Sequence, residues 1–261
     1  MSAYKFVSGV ERDSFDARDY SAGVMYTAMG VTVGPSGYPK TLDLREYLPP
    51  VRSQKPRGTC VAFAGSAMKE YQERLDTGYE GYFSPEFIYF YRENKPGRGM
   101  NSRDLMEVLL KRGCCTEDTL PYVVVKDENA TAEIPLAAEE EAAKYKISSY
   151  ARIYTIDELK TALFQSGVCY VAFPVYDVRP EFWRKKTTES VLKGGHAVAI
   201  VGYNSEGFIL RNSWGEDYGD NGYVIYPYED FGQHWDIWTA IDAQGSPKPP
   251  PTKNNACCMI S

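Results

Sequence analysis

The chain has 261 residues, with 29 Lys and Arg against 35 Asp and Glu, a formal net charge of −6, and 43% hydrophobic residues. A chain of this size buries a substantial core without disulfides or structural metals, and its acidic balance argues against a nucleic-acid or anionic-membrane footprint. It holds no apolar run long enough to span a bilayer, and Met1–Val10 lacks the basic start and apolar stretch of a secretory signal, so a reducing cytosol is the expected compartment.

Residues 1–38 show no persistent period and are expected to form an extended arm, lying either across a cleft or along the back of a lobe. From 39 to 128 the pattern is mostly helical. Cys60–Leu75 carries apolar residues on a broad face and ends near Gly78; Ser84-Pro85 reads as an N-cap and first helical position opening Glu86–Tyr91; Ser102 reads as the cap of Arg103–Arg112, which Gly113 stops. Ala137–Lys146, with Glu140 and Lys144 at i,i+4 spacing, reads as a solvated helix face, and Thr155-Ile-Asp-Glu158 as a capping box. Short β-rich runs follow at Val168–Phe173, His196–Tyr203, Gly207–Arg211 and Gly222–Pro227. Helices first and strands second favour an α+β fold over a parallel sheet. Residues 244–256 hold four prolines and no core-forming residue, so they read as a linker.

The six cysteines stand at 60, 114, 115, 169, 257 and 258, a poor framework for disulfides. With two histidines and no C-x-x-C spacing, neither a metal nor another cofactor is expected. Cys60 is the candidate nucleophile. It follows Gly58-Thr59 at the start of the first long helix, where the positive end of the peptide dipoles favours a thiolate. Cys169, in an apolar strand, reads as a small hydrophobe. His196 follows two glycines and opens a strand, a better partner for a thiolate than His234, which reads as packed or surface. Asn212-Ser-Trp-Gly215 offers an amide to orient an imidazole and an indole to screen it.

The order Gln54, Cys60, His196, Asn212, with Gly-His-Ala-Val-Ala and Asn-Ser-Trp-Gly around the last two, resembles the papain-like cysteine peptidases. The resemblance covers about residues 39–243. It implies a helical lobe over about 50–128 and an antiparallel, barrel-like β lobe over about 129–243, with the active site in the cleft between them. It further implies that Cys60 attacks as thiolate, that His196 is its imidazolium partner oriented by Asn212, and that Gln54 donates to the oxyanion. Trp214 would roof the His–Asn contact, the Gly195 carbonyl and the backbone near Gly99 would pair with an extended substrate, and Met100 and Ala197 would line an apolar pocket. Arg57 stands where the family places a disulfide cysteine, in keeping with a reducing compartment, and residues 43–51 and 113–118 resemble the disulfide-poor microbial and viral members. Secreted members carry a much longer inhibitory pro-segment than the 38 residues here.

Expected partners are protein or peptide substrates acted on by a monomer. A catalytically silent peptide-binding module on the same fold is the alternative, and a thiol-dependent acyltransferase a more distant one. At the C-terminus, Cys258-Met-Ile-Ser261 fits a C-a-a-X pattern of the farnesylated form, with Cys257 as a second lipid acceptor. Lys248 and Lys253 are too few for a polybasic signal, so such a chain would contact membranes peripherally through lipid.

Overall fold

A computed structural model of the chain describes residues 7–14 and 16–243. Its first two elements, β1 (Val10–Glu11) and α1 (Ala22–Ala28), fall in the stretch expected to be an extended arm. Helix α1 buries Ala22 and Tyr26, one turn apart, and a single such pair is too short to register as a period. The Tyr26 hydroxyl lies 2.6 Å from Ser166 Oγ and 3.2 Å from Thr239 Oγ1, tying the arm to the back of the β lobe.

After the short β2 (Leu42–Asp43) comes α2 (Cys60–Asp76), buried along almost its whole length. A surface helix would show one apolar stripe; α2 is enclosed on most sides, so its polar residues must find partners inside. Lys69 Nζ pairs with Asp242 at 2.7 Å and Glu73 at 3.0 Å, and Glu70 with Arg52 at 3.2 Å. Helix α3 (Pro85–Phe90) begins as its sequence dictates, with Ser84 Oγ accepting from Phe87 N at 3.1 Å. Strand β3 (Met100–Asn101) runs straight into α4 (Ser102–Lys111). Ser102 is not the cap expected of it: it lies inside the helix, with its hydroxyl 2.9 Å from Tyr170 Oη. Asp13 from the arm supplies the acceptor, taking the Arg103 N–H at 2.9 Å.

Helix α5 (Leu136–Ala142) ends before Lys144, so the spacing from Glu140 carries no helical pair; the helix packs through Ala138 and Ala142. Strand β4 (Ile147–Arg152) precedes α6 (Ile156–Gln165), whose capping box forms in both directions between Thr155 and Glu158. Strands β5 (Cys169–Val175), β6 (Gly194–Tyr203), β7 (Gly207–Arg211), β8 (Tyr223–Pro227) and β9 (Asp236–Asp242) complete the chain. The sheet order is β3-β1-β6-β5-β9-β4, with β7 branching from β6 to β8 and β2 pairing with β6. All these pairs are antiparallel except β1 with β3. Strands β4 and β9 were not expected from the sequence. Strand β9 is buried on both faces yet carries Asp236, Thr239 and Asp242, so it shows no alternation.

The far end of α2 meets β9 in a group of carboxylates around Lys69. Burial, then the neighbouring Asp242 and Glu73 carboxyls, push Asp76 up to about 7, against a partial opposing effect of Lys69. A carboxyl whose folded value is raised stabilises the fold at low pH and loses that contribution as pH rises through the folded value. Thermal stability should therefore fall as pH rises from about 4 to about 7. Melting curves of Asp76→Asn should show a flatter dependence across that window, and identical slopes would show that the proton is not held there.

Candidate active site

Cys60 is the first residue of α2 and is fully buried. Its sulfur is met by the backbone N–H groups of Ala197, Val61 and Cys60 itself. Ala197 follows His196 in β6, so the thiol meets that strand at the residue next to the imidazole, across the seam between α2 and β6. His196 Nε2 lies 2.8 Å from Asn212 Oδ1. Trp214 stacks on the His196 ring, centroids 4.4 Å apart and planes at 26°, and Tyr218 closes edge-on against the indole at 4.7 Å. Phe182 packs beside the stacked pair, 5.4 Å from the imidazole and 5.5 Å from the indole, a contact that no motif in the sequence announces. His234 lies elsewhere, its Nδ1 3.0 Å from Tyr226 Oη.

Asn212 is held by a lacing of two segments. Gln54 N donates to Ser213 O at 2.8 Å, Ser213 Oγ to Gln54 Oε1 at 2.7 Å, and Gly215 N to Arg52 O at 3.2 Å. Ser213 N also donates to Asn212 Oδ1 at 2.7 Å. Because Ser213 Oγ fixes which end of the Gln54 amide is oxygen, Gln54 Nε2 is turned towards the Cys60 loop, where it donates to Arg57 O at 2.8 Å. An amide nitrogen carries two hydrogens, so one is left for another acceptor.

The cleft is filled by the chain itself. Gly9 N donates to Gly195 O at 3.1 Å, Met100 N donates to Gly9 O at 3.1 Å, and the Ser8 hydroxyl lies 3.0 Å from Gly195 N as its acceptor. Val10 pairs with Met100 on one side and Gly195 on the other. The backbone groups at Gly195 and beside Gly99 expected to receive substrate are thus taken by residues 8–10. Gly99 has φ +79°, a conformation that suits glycine and shapes this edge. A Cβ on Gly9 would fall 2.7 Å from Cys60 Sγ and 2.6 Å from Gly58 O, so only glycine fits over the thiol. Met100 and Ala197 are both fully buried.

This occupancy reverses the expected electrostatics. The helix N-terminus was expected to favour a thiolate; instead burial pushes the Cys60 thiol up to about 12, outweighing the N–H groups aimed at it. Burial likewise lowers His196 to about 4, with the Asn212 hydrogen bond opposing. In the plugged cleft burial favours the neutral form of both groups. Cys257 and Cys258 lie outside the described residues.

A family model described as papain family cysteine protease matches residues 38–234. The chain is 29% identical to mouse (Mus musculus) cathepsin K over 229 residues, spanning 80% of this chain and 64% of the mouse protein's length. It is 28% identical over 224 residues to an uncharacterized peptidase C1-like protein of Acanthamoeba polyphaga mimivirus, covering 72% of this chain and 68% of the viral protein. Its structure is similar to that of xylellain, a cysteine protease from Xylella fastidiosa, with TM-score 0.72 and 29% identity over 89% of this chain and 95% of that one. The fold is accordingly the two-lobed α+β fold that the sequence resemblance implied.

Arg57, placed where the resemblance calls for a disulfide cysteine, cross-links the cleft wall by charge. It is 1% exposed, bonds Glu86 through Nη1 at 2.5 Å and Nη2 at 3.1 Å, and donates to Val123 O at 2.9 Å. Removing one member of a buried pair leaves the other charge uncompensated, at a cost of about 3–5 kcal/mol. Chemical denaturation of Arg57→Ala should show a loss in that range, and a loss under about 1 kcal/mol would mean water replaces the guanidinium.

Proposed function

The chain belongs to the papain family of cysteine proteases, and from that premise we propose that it is a cysteine endopeptidase held latent by its own residues 8–10. The observation that carries this reading is a chain of contacts: Gln54 bonds Ser213 beside Asn212, Asn212 bonds His196, and Ala197 next to His196 meets the Cys60 sulfur, over which Gly9 lies. A passive binding module has no use for all four.

When the arm leaves, the sulfur faces the open cleft with three N–H groups still aimed at it, and the proton moves to His196. The Cys60 thiolate then attacks the scissile carbonyl, forming the C–S bond. The oxyanion is received by the second Gln54 amide hydrogen and the Cys60 N–H. His196, steadied by Asn212, gives its proton to the departing amine as the C–N bond breaks, and then draws a proton from the water that hydrolyses the thioester. An extended substrate takes the same backbone partners as the arm. Val10, which sits between Met100 and Gly195, supports an apolar preference in that pocket.

The chain is proposed to work as a monomer in a reducing compartment, a reading supported by four buried free cysteines and by the Arg57–Glu86 pair. Farnesylation at Cys258, with Cys257 as a second acceptor, would tether it to membranes; the support is the C-a-a-X pattern after a proline-rich linker. Among the described residues no helix is long and apolar enough to cross a membrane.

Gly9→Leu puts a side chain where the Cys60 sulfur leaves no room. In the full chain it should raise both peptide hydrolysis and labelling by an epoxide inhibitor on the order of tenfold, and Cys60→Ala should abolish both. Rates equal to wild type would sink the latent state, and no Cys60-dependent hydrolysis in Gly9→Leu would sink the peptidase. For the tether, the expected result in eukaryotic cells is a farnesyl mass shift in wild type that Cys258→Ser removes; an unshifted wild type ends that proposal.

A further inference from the structure

One buried carboxylate outside the catalytic set joins two parts of the cleft wall on the helical lobe. Glu128 is 9% exposed and lies in the connection between α4 and α5. Its oxygens accept from Gly58 N at 3.1 and 3.3 Å and from Tyr89 Oη at 2.7 Å, and Arg98 Nε forms an ion pair with it at 3.0 Å. Tyr89 Oη in turn accepts from Gly99 N at 3.0 Å. Gly58 lies two residues before the nucleophile, and Gly99 is the residue before Met100, whose N–H holds the extended segment in the cleft. One carboxylate therefore governs the turn that delivers Cys60 directly, and the peptide-pairing edge through a single hydroxyl.

The segment bearing Glu128 is itself fixed. Arg57 Nη1 donates to Val123 O, Arg92 Nη2 to Asn129 Oδ1 at 2.7 Å, and Thr131 Oγ1 to Glu86 Oε1 at 2.6 Å. A carboxylate so placed cannot drift, and a buried carboxylate needs its donors in place. The donors named here are all groups of the cleft wall. We propose that Glu128 is a positioning residue of the peptidase, setting the register between the nucleophile turn and the edge that binds extended peptide through Gly58 and the Tyr89 relay to Gly99. The proposal rests on the peptidase reading.

The test uses the full chain carrying Gly9→Leu, so that the cleft is open. Tyr89→Phe removes only the relay to Gly99, whereas Glu128→Gln disturbs both branches, and Glu128→Asp keeps the charge. Losing one such hydrogen bond corresponds to about a three- to tenfold effect. Tyr89→Phe should raise KM for an extended peptide by that factor with kcat within about twofold; Glu128→Gln should raise KM and lower kcat, and Glu128→Asp should recover part of the loss. A turnover-free readout separates this proposal from the peptidase reading: anisotropy of a fluorescein-labelled peptide of sequence Val7–Ser14 on the Cys60→Ala, Gly9→Leu chain. Its Kd should rise about three- to tenfold in Tyr89→Phe and in Glu128→Gln. Affinities and KM values within about twofold of the parent, with only the melting temperature lowered, would overturn the proposal whether or not the parent hydrolyses peptides.

Discussion

Of the contacts between the lobes, a few polar bonds between residues 52–54 and 212–215 set the floor of the cleft, and the chemistry proposed for it depends on that lacing. The Ser213 hydroxyl on Gln54 Oε1 decides the orientation of one amide, and the Asn212 carbonyl oxygen on His196 decides the position of one ring. Both come from one loop after β7, so the group that would receive the oxyanion and the group that steadies the imidazole cannot be displaced independently. The stacked Trp214 and the edge-on Tyr218 exclude water from the same loop, which strengthens each bond within it.

Above that floor, the state of the thiol is decided by what lies on it. The three N–H groups around Cys60 favour the thiolate, but full burial beneath Gly9 outweighs them, and the same burial keeps His196 neutral. The thiol lies at its helix start and the imidazole on its asparagine, while the electrostatics around both are those of a core. Geometry and reactivity are thus separable in this molecule, with only a few residues of the arm standing between them.

The places of the candidate residues were readable from the sequence because each sits in a local pattern: a helix start at Cys60, glycines before His196, and a strand end before Asn212. The capping box at Thr155 and the Ser84-Pro85 start were readable for the same reason. What escaped depends on partners distant in the chain. Asp13 caps α4 from across the molecule, so Ser102 looked like the cap when it is not. Helix α1 is too short to show a period, and β9 hides its alternation because Lys69, Tyr26 and Arg152 neutralise its polar residues from other elements. Glu128 has no motif at all, since its meaning lies in Gly58 and Tyr89.

The arm is anchored apart from the place where it fills the cleft. Tyr26, buried behind the β lobe, and Asp19, paired with Arg103 at 2.7 Å and Arg152 at 3.1 Å, keep its base in place whatever residues 8–10 do. The short segment over Cys60 is then a ligand on a tether, whose effective concentration for short flexible links is of millimolar order. A peptide entering the cleft would compete with that local concentration and not with the amount of protein in solution, so dilution would not release the arm, and abundant or tightly binding peptides would gain entry ahead of scarce, weak ones.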